Sequence, residues 1–349
     1  MGEVTVSDIV QALDRITGGR VVTDVGRVAA GLNPFVVTKS SDLPGKAVTE
    51  TPGLIHGDPA AKVRTIAMVM TLTESAIELA AATGVDLLVA HHPIADASNS
   101  GGVPLRNYLG LYGLAVVELH EAFHGLHPGI AYLHGHAAFR TEVRYGGVPG
   151  NIMFVGRRLP EVKTLGDIID RLDRLMGVQR EIEVLEADRR ASGCDQIHET
   201  SVAARARILV GEPERPVDTV LHVFPHTGFS PEHLDNAVRE HPEIDTVIAS
   251  ISRVARDHPL VVRAEELGRA FVVGNSHAVE LYENWMPLAR CLEELFPNVK
   301  ILMFKERMFA IPYEACGNDA LRRYATRMAE DYLLPRASEG GEQLGRMAT

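Results

Sequence analysis

The chain has 349 residues, 46% of them hydrophobic and 23% charged, which is ordinary globular usage and excludes a disordered tail protein or a fibrous repeat. Acidic residues outnumber basic ones 46 to 35, and the formal charge of −11 repels a phosphate backbone, which argues against nucleic acid as a partner. Cys194, Cys291 and Cys316 show no CxxC spacing and no run of about 18 apolar residues occurs, so a disulfide framework, a cysteine zinc site and a membrane span are excluded.

The start, MGEVTVSDIVQALDRITGG, lacks a basic segment leading into an unbroken apolar run, which predicts a soluble, cytoplasmic protein. Ser7 caps a predicted helix that runs to Ile16, with Ile9, Val10, Leu13 and Ile16 on one face and Gly18-Gly19 as its stop. Residues 20–53 have no clean period and read as loops and short strands. Then come a strand over 65–70, a helix over 73–82 capped by Thr73, a strand over 85–90, a helix over 104–112 and a strand over 114–119.

After an amphipathic helix over 164–176, with Thr164 and Asp167 as its capping pair, the same order returns. It consists of strands over 219–224, 244–249 and 269–273 separated by helices over 231–240 and 261–267. Both sets of strands are almost continuously apolar, which predicts sheets buried on both faces and an α/β fold built from a duplicated β-α-β-α-β unit. Residues 184–216 are polar and weakly periodic, a linker or exposed excursion. Helices over 285–296 and 319–332 close the fold, Pro335 stops the last of them, and 336–349 reads as a mobile tail. The expected division is a first α/β lobe over 1–145 and a second, with the C-terminal helices, over 146–335.

Fifteen histidines are present, and seven of them (His91, His92, His120, His124, His127, His134 and His136) fall within 46 residues. In a parallel sheet, ligands collect at the carboxyl ends of the strands, and there the histidines stand: His91-His92-Pro93, His120, His226 and His277 each follow a predicted strand. Adjacent histidines in a strand point to opposite faces, so His91 and His92 share a site only where the chain turns, and Pro93 with the polar run after it supplies a turn. His120 and His124 are four apart, and His277 and Glu280 three apart, so each pair converges on one side of a helical turn. Five imidazoles and one carboxylate suffice for two divalent ions at three protein ligands each, with Glu280 as the bridging carboxylate. Such a donor set favours Zn, Fe, Co or Ni over Mg or Ca.

Glu121 beside these histidines suits a general base. His127, His134 and His136 read as residues that orient ligands or as surface residues, and His56, His198, His233, His241 and His258 as solvated ones. His120-Glu-Ala-Phe-His124 also matches the H-E-x-x-H zinc-peptidase pattern, but that motif needs a long helix, and Gly125 and Pro128-Gly129 interrupt one here.

These residues resemble the NIF-three-like family, described as dinuclear-metal hexameric proteins and often labelled GTP cyclohydrolase type 2. The resemblance covers roughly residues 53 to 310. It runs through Gly53-Leu-Ile-His-Gly-Asp-Pro59, Val85-Asp-Leu-Leu-Val-Ala-His-His-Pro93, and Val116-Val-Glu-Leu-His120 with His124 and Pro128-Gly129. Val155-Gly-Arg157, Val273-Gly-Asn-Ser-His277 and Met286-Pro-Leu-Ala289 complete it. The resemblance implies that His91, His92, His120 and His277 are metal ligands. The chain departs from the family where His124 replaces an aspartate and where Leu281 stands in the place of the ligand glutamate, a role that then falls to Glu280 or Glu283. Ser250-Ile-Ser-Arg253 replaces an acidic strand-end motif. These departures imply an altered substrate or a site holding one ion.

The resemblance further implies two interlocked pseudo-symmetric lobes, a homo-hexameric ring and a metal-dependent hydrolase acting on a small molecule. That substrate is a GTP-like nucleotide whose imidazole ring opens with loss of formate. His226 and Arg253 would stabilise developing negative charge, and Glu121 or Glu283 would shuttle the proton. No GxxxxGK[ST] phosphate loop occurs. The rival expectations are a metal-stabilised, ring-forming regulatory or interaction protein without turnover, and a zinc metallopeptidase acting through residues 120–124.

Overall fold

The computed structural model describes residues 2–40, 47–92, 105–147, 149–251 and 253–334. The first helix, Val6–Ile16, has its cap two residues earlier than the spacing predicts, because Thr5 rather than Ser7 caps it in a reciprocal pair with Asp8. The expectations for Pro93 and its turn, and for the tail over 336–349, lie outside the described residues.

The fold is mixed α/β. A five-stranded sheet has the order Lys300–Met303, Thr65–Val69, Leu87–Ala90, Ala115–Glu118, Gly53–His56. Its first four strands are parallel and Gly53–His56 closes the edge antiparallel. Every residue of Leu87–Ala90 and Ala115–Glu118 is buried, as expected of strands covered on both faces. One face packs with helices Val6–Ile16 and Met286–Leu295, and the other with Glu74–Ala82 and Leu105–Tyr112. Thr73 caps Glu74–Ala82 as its sequence predicts.

A six-stranded sheet has the order Arg207–Val210, Ala270–Ser276, Thr246–Ile251, Thr219–Val223, Met153–Arg158, His136–Glu142. Its three central strands are parallel and the three outer pairings antiparallel. Helices Pro231–Glu240 and Pro259–Glu266 cover one face, and Leu165–Met176, with the Thr164–Asp167 capping box, covers the other.

Three segments cross the expected 145/146 division. His136–Glu142 joins the second sheet, while Lys300–Met303 and Met286–Leu295 return to the first. Residues 184–216, expected to be a linker, hold most of helix Val178–Ser192, a short helix Thr200–Ala203 and edge strand Arg207–Val210. Both sheets fall in one compact unit, Met1–Glu181 with Thr200–Arg307. The second unit comprises Ile182–Glu199 and Met308–Thr349. It pairs Phe309–Ala310 with His198–Glu199 and carries helix Asp319–Met328, capped by Asn318. Among the described residues, no helix is long and apolar enough to cross a membrane.

Candidate metal centre

The parallel strands deliver their histidines to one place. His91 and His92 follow Leu87–Ala90, and their N–H groups still bond Val69 and Met70 carbonyls as the backbone begins to bend. The two rings lie 5.3 Å apart, centroid to centroid. His120 and His124 follow Ala115–Glu118 with rings 4.8 Å apart, and those rings lie 4.9 and 5.2 Å from His91. Residues 121–126 form turns rather than a helix, so the zinc-peptidase reading loses the long helix it needs.

His277 follows Ala270–Ser276 with its ring 5.2 Å from His92. A turn closed by the Glu280 N–H on the His277 carbonyl, at 2.9 Å, brings in Glu280. Nitrogens and oxygens drawn from His91, His120 and His124, and from His91, His92 and Glu280, lie within 4.8 Å of one another in each set.

The spacings suit metal ligation. Two ligand atoms on a tetrahedral ion, each about 2.1 Å from it, are about 3.4 Å apart. His91 Nε2 lies 3.4 Å from both His124 Nε2 and Glu280 Oε2. Glu280 turns its other oxygen, Oε1, toward His124 Nε2 at 4.0 Å, so the carboxylate faces both histidine sets. The outer nitrogens of the rings are held from behind. His92 Nδ1 hydrogen-bonds Thr71 Oγ1 at 2.8 Å, and His120 Nδ1 lies 3.0 Å from Glu50 Oε2, which leaves each Nε2 for an ion. His91, wholly buried, packs edge-on against Trp285, whose indole N–H donates to the Val69 carbonyl at 2.9 Å. Glu280 Oε2, buried, facing His91 Nε2 and without a hydrogen-bond partner among the described residues, fits a divalent cation.

The electrostatics point the same way. Burial pushes Glu280 toward neutrality, but His91, His277 and His124 outweigh it and hold the carboxylate well below its ordinary range. Burial likewise disfavours charge on His124, yet Glu121, Glu280 and Glu283 lift it to about 9, so a proton occupies the place a cation would take. Burial and the neighbouring His91 lower His92 to about 3, which keeps it a neutral ligand.

Of the remaining expected residues, Glu121 is buried with its oxygens 3.8 Å from His120 Nδ1 and 3.4 Å from His124 Nδ1, behind the rings. Glu283 is buried, and burial together with Glu280 pushes it up to about 8. His226, in the turn after Thr219–Val223, has its ring 5.5 Å from His277. Burial and His277 lower it to about 4, so it is a neutral group and not the cation that charge stabilisation needs. Arg253 is not brought to the cluster, because its guanidinium donates to the Arg205 carbonyl at 3.0 Å. His124, His226, Glu280 and Glu283 line a small recess together with Phe224 and Ile251. Ile251 holds φ at 67°, a region that β-branched residues rarely enter and that costs about 1–3 kcal/mol.

Glu50, Thr71 and Trp285 carry no motif and were not singled out by sequence. Only the buried position of Glu50 beside an edge strand, visible after folding, identifies it. His134 and His136 belong to neither the surface nor this cluster: both are fully buried beside His222 in the second sheet. His233 and His258, expected to be solvated, are instead part of helix caps.

The family model described as Duf34/NIF3 (NGG1p interacting factor 3) matches residues 37–98, which include His91 and His92. A Bacillus cereus protein related to NIF3 has the same fold, with TM-score 0.55 and 13% identity over 90% of this chain and 100% of its own. A hypothetical protein of Staphylococcus aureus gives TM-score 0.53 and 11% identity over 87% and 97%. Protein ybgI, of unknown function, gives 0.51 and 14% over 86% and 98%. No match was found among curated proteins. Residues 37–98 are thus similar to the NIF3 family model, and the chain shares its fold with these proteins.

Proposed function

We propose that the chain is a metal-dependent hydrolase whose centre is built on His91, His92, His120, His124, His277 and Glu280. The observation that carries this reading is the position of His91 Nε2, 3.4 Å from both His124 Nε2 and Glu280 Oε2, although these residues are far apart in sequence. His91 with His120 and His124, and His91 with His92 and Glu280, would hold one or two ions, with the His277 ring 5.2 Å from His92. Imidazole-rich ligation favours Zn, Fe, Co or Ni. A divalent ion held there supplies Lewis acidity and a water-derived nucleophile at neutral pH.

The chain's own residues provide the rest. Glu50 and Thr71 fix the orientation of His120 and His92. Glu121 holds His124 through Nδ1. Glu283 faces the recess, and burial with the neighbouring Glu280 pushes it up to about 8, which suits a general acid toward a leaving group. His226 offers a neutral imidazole to the same recess. The first substrate to assay is the one the family resemblance implies, a purine nucleotide opened at its imidazole ring with release of formate.

Elemental analysis of the purified protein beside His91→Ala and Glu280→Gln tests the centre. At least one transition-metal ion per chain is expected in the parent and a loss of most of it in both variants. Unchanged metal content in both variants overturns the reading. Glu283→Gln should keep its metal and lose about 10²–10⁴-fold in turnover, the range of a general acid.

A further inference from the structure

The turn that carries His120 and His124 to the centre leaves two of its carbonyls without the partners a helix would give them. In a continued helix the Ala122 carbonyl would accept from Leu126 and the His124 carbonyl from residue 128. Leu126 instead donates to the Phe123 carbonyl at 3.5 Å, and Pro128 has no N–H to give. Gly125, at φ 71°, has already turned the chain off the helical path. Ala122 is fully buried, so water cannot make up the loss. Arg20 fills both gaps. Its Nη1 donates to the Ala122 carbonyl at 3.3 Å and to the His124 carbonyl at 3.1 Å, from more than 100 residues away in the sequence. The arginine is itself fixed in advance. Gly18 and Gly19, at φ 69° and 86°, turn the chain out of helix Val6–Ile16, and the Arg20 carbonyl then accepts from Asn33 Nδ2 at 2.9 Å. Asn33 Oδ1 accepts the Phe35 N–H at 3.0 Å, and the guanidinium lies over the Phe35 ring, 4.6 Å from its centroid.

We propose that Arg20 is a positioning residue of the metal centre. It clamps the main chain over residues 122–124 and so aims the His124 imidazole, doing from a distant segment what a continuous helix does for the second histidine of an H-E-x-x-H motif. The inference rests on reading His124 as a ligand. Glu121 fixes the ring from its Nδ1 side, at 3.4 Å, and Arg20 fixes the backbone that carries the ring. Without the clamp the ring keeps its carboxylate partner but loses its fixed base, and nothing else on the turn's carbonyl side holds Nε2 at 3.4 Å from His91 Nε2. Both bonds from Arg20 end on backbone oxygens, so its effect on an ion passes through His124.

Arg20→Met keeps the stem and removes the donors, and two measurements on the full chain read it. Hydrogen exchange of the metal-free protein should show residues 121–126 exchanging about tenfold faster than in the parent, with helix Glu74–Ala82 unchanged. Co²⁺ affinity should fall about tenfold, and the visible absorption of the bound ion should shift as the His124 imidazole is lost from it. His124→Ala supplies the reference: once the ring is gone, adding Arg20→Met should cost less than about twofold more, the mark of a residue that acts through another. Should Arg20→Met fail to fold, Phe35→Leu loosens the guanidinium without removing it and is expected to weaken Co²⁺ binding about threefold, again only where His124 is present. A Co²⁺ affinity and spectrum left unmoved by the folded variant, or a loss that adds in full to that of His124→Ala, overturns the positioning role. Unchanged exchange over 121–126 overturns the clamp itself. A parent chain that binds no Co²⁺ refutes the metal reading and the positioning role with it, while the exchange measurement, made without metal, still decides whether Arg20 clamps the turn.

Discussion

Glu50 acts on the centre through another residue. Its carboxylate sits 3.0 Å from His120 Nδ1 and is buried, so it fixes the ring's tautomer and direction without occupying a ligand position of its own. Glu50→Gln keeps the shape and removes the charge, and Co²⁺ affinity should fall about 10–100-fold in a competition titration, the usual effect of such outer partners. An unchanged affinity would show that His120 needs no support. Gly150 has a different duty: it holds φ at +82° against Glu121, and an added Cβ would overlap that carboxylate. Gly150→Ala should therefore cost about 1–3 kcal/mol in urea denaturation, from backbone strain and displacement of Glu121. The candidate histidines are legible in the sequence because His91, His92, His120 and His277 follow the ends of predicted strands and His124 stands four residues after His120. Glu50 is not, since its contact with His120 spans 70 residues and depends on how short strands near 47–56 meet the sheet edge.

Elements with a strong apolar period were also legible, because a single face decides them. Pro231–Glu240 was expected over the same residues, and Leu165–Met176 takes the predicted Thr164–Asp167 capping box. Thr164→Ala should lower stability by about 1 kcal/mol, read as a shift in the urea midpoint, because the Asp167 N–H loses its acceptor. A shift below 0.3 kcal/mol would mean that packing on the buried Ile168 and Leu172 positions this helix without its cap. Where local signals compete, the reading fails. Ser7 and Thr5 are both good caps, and only Thr5 has Asp8 three residues on to complete the pair. Helix Val178–Ser192 lacks a wide apolar stripe, so its polar sequence looked like a linker. The H-E-x-x-H spacing survives without its helix: turns bring His120 and His124 as close as a helix would.

At the scale of the whole molecule, pairings between distant segments decide what local pattern cannot. Lys300–Met303 lies parallel to Thr65–Val69 across more than 230 residues, and no period within either strand announces that partnership. In the six-stranded sheet, pairings between distant strands likewise bury His134, His136 and His222 together, with His222 Nε2 2.5 Å from Ser250 Oγ. Ring nitrogens of all three are left without hydrogen-bond partners among the described residues. Burial lowers His134 to about 4, assisted by Arg171, and His136 to about 3, assisted by His134, and burial with these two neighbours holds His222 well below its ordinary value. The sign of the effect on stability follows. Below pH 6.5 the unfolded chain binds protons on these rings that the native chain refuses until about pH 4 or lower. Stability therefore falls as pH drops from 6.5 toward 4, by about 1.4 kcal/mol per pH unit for each histidine once the unfolded ring is fully protonated. His92 and His226, also held neutral, add to the same slope, so the share of the buried trio is read from a variant. In His136→Leu, urea unfolding measured from pH 7.5 to 4.5 should show a slope shallower than the parent's by about 1.4 kcal/mol per pH unit below pH 5.5. Parallel curves for parent and variant would mean that His136 takes up its proton inside the folded protein, and that the second sheet tolerates a charge at its centre.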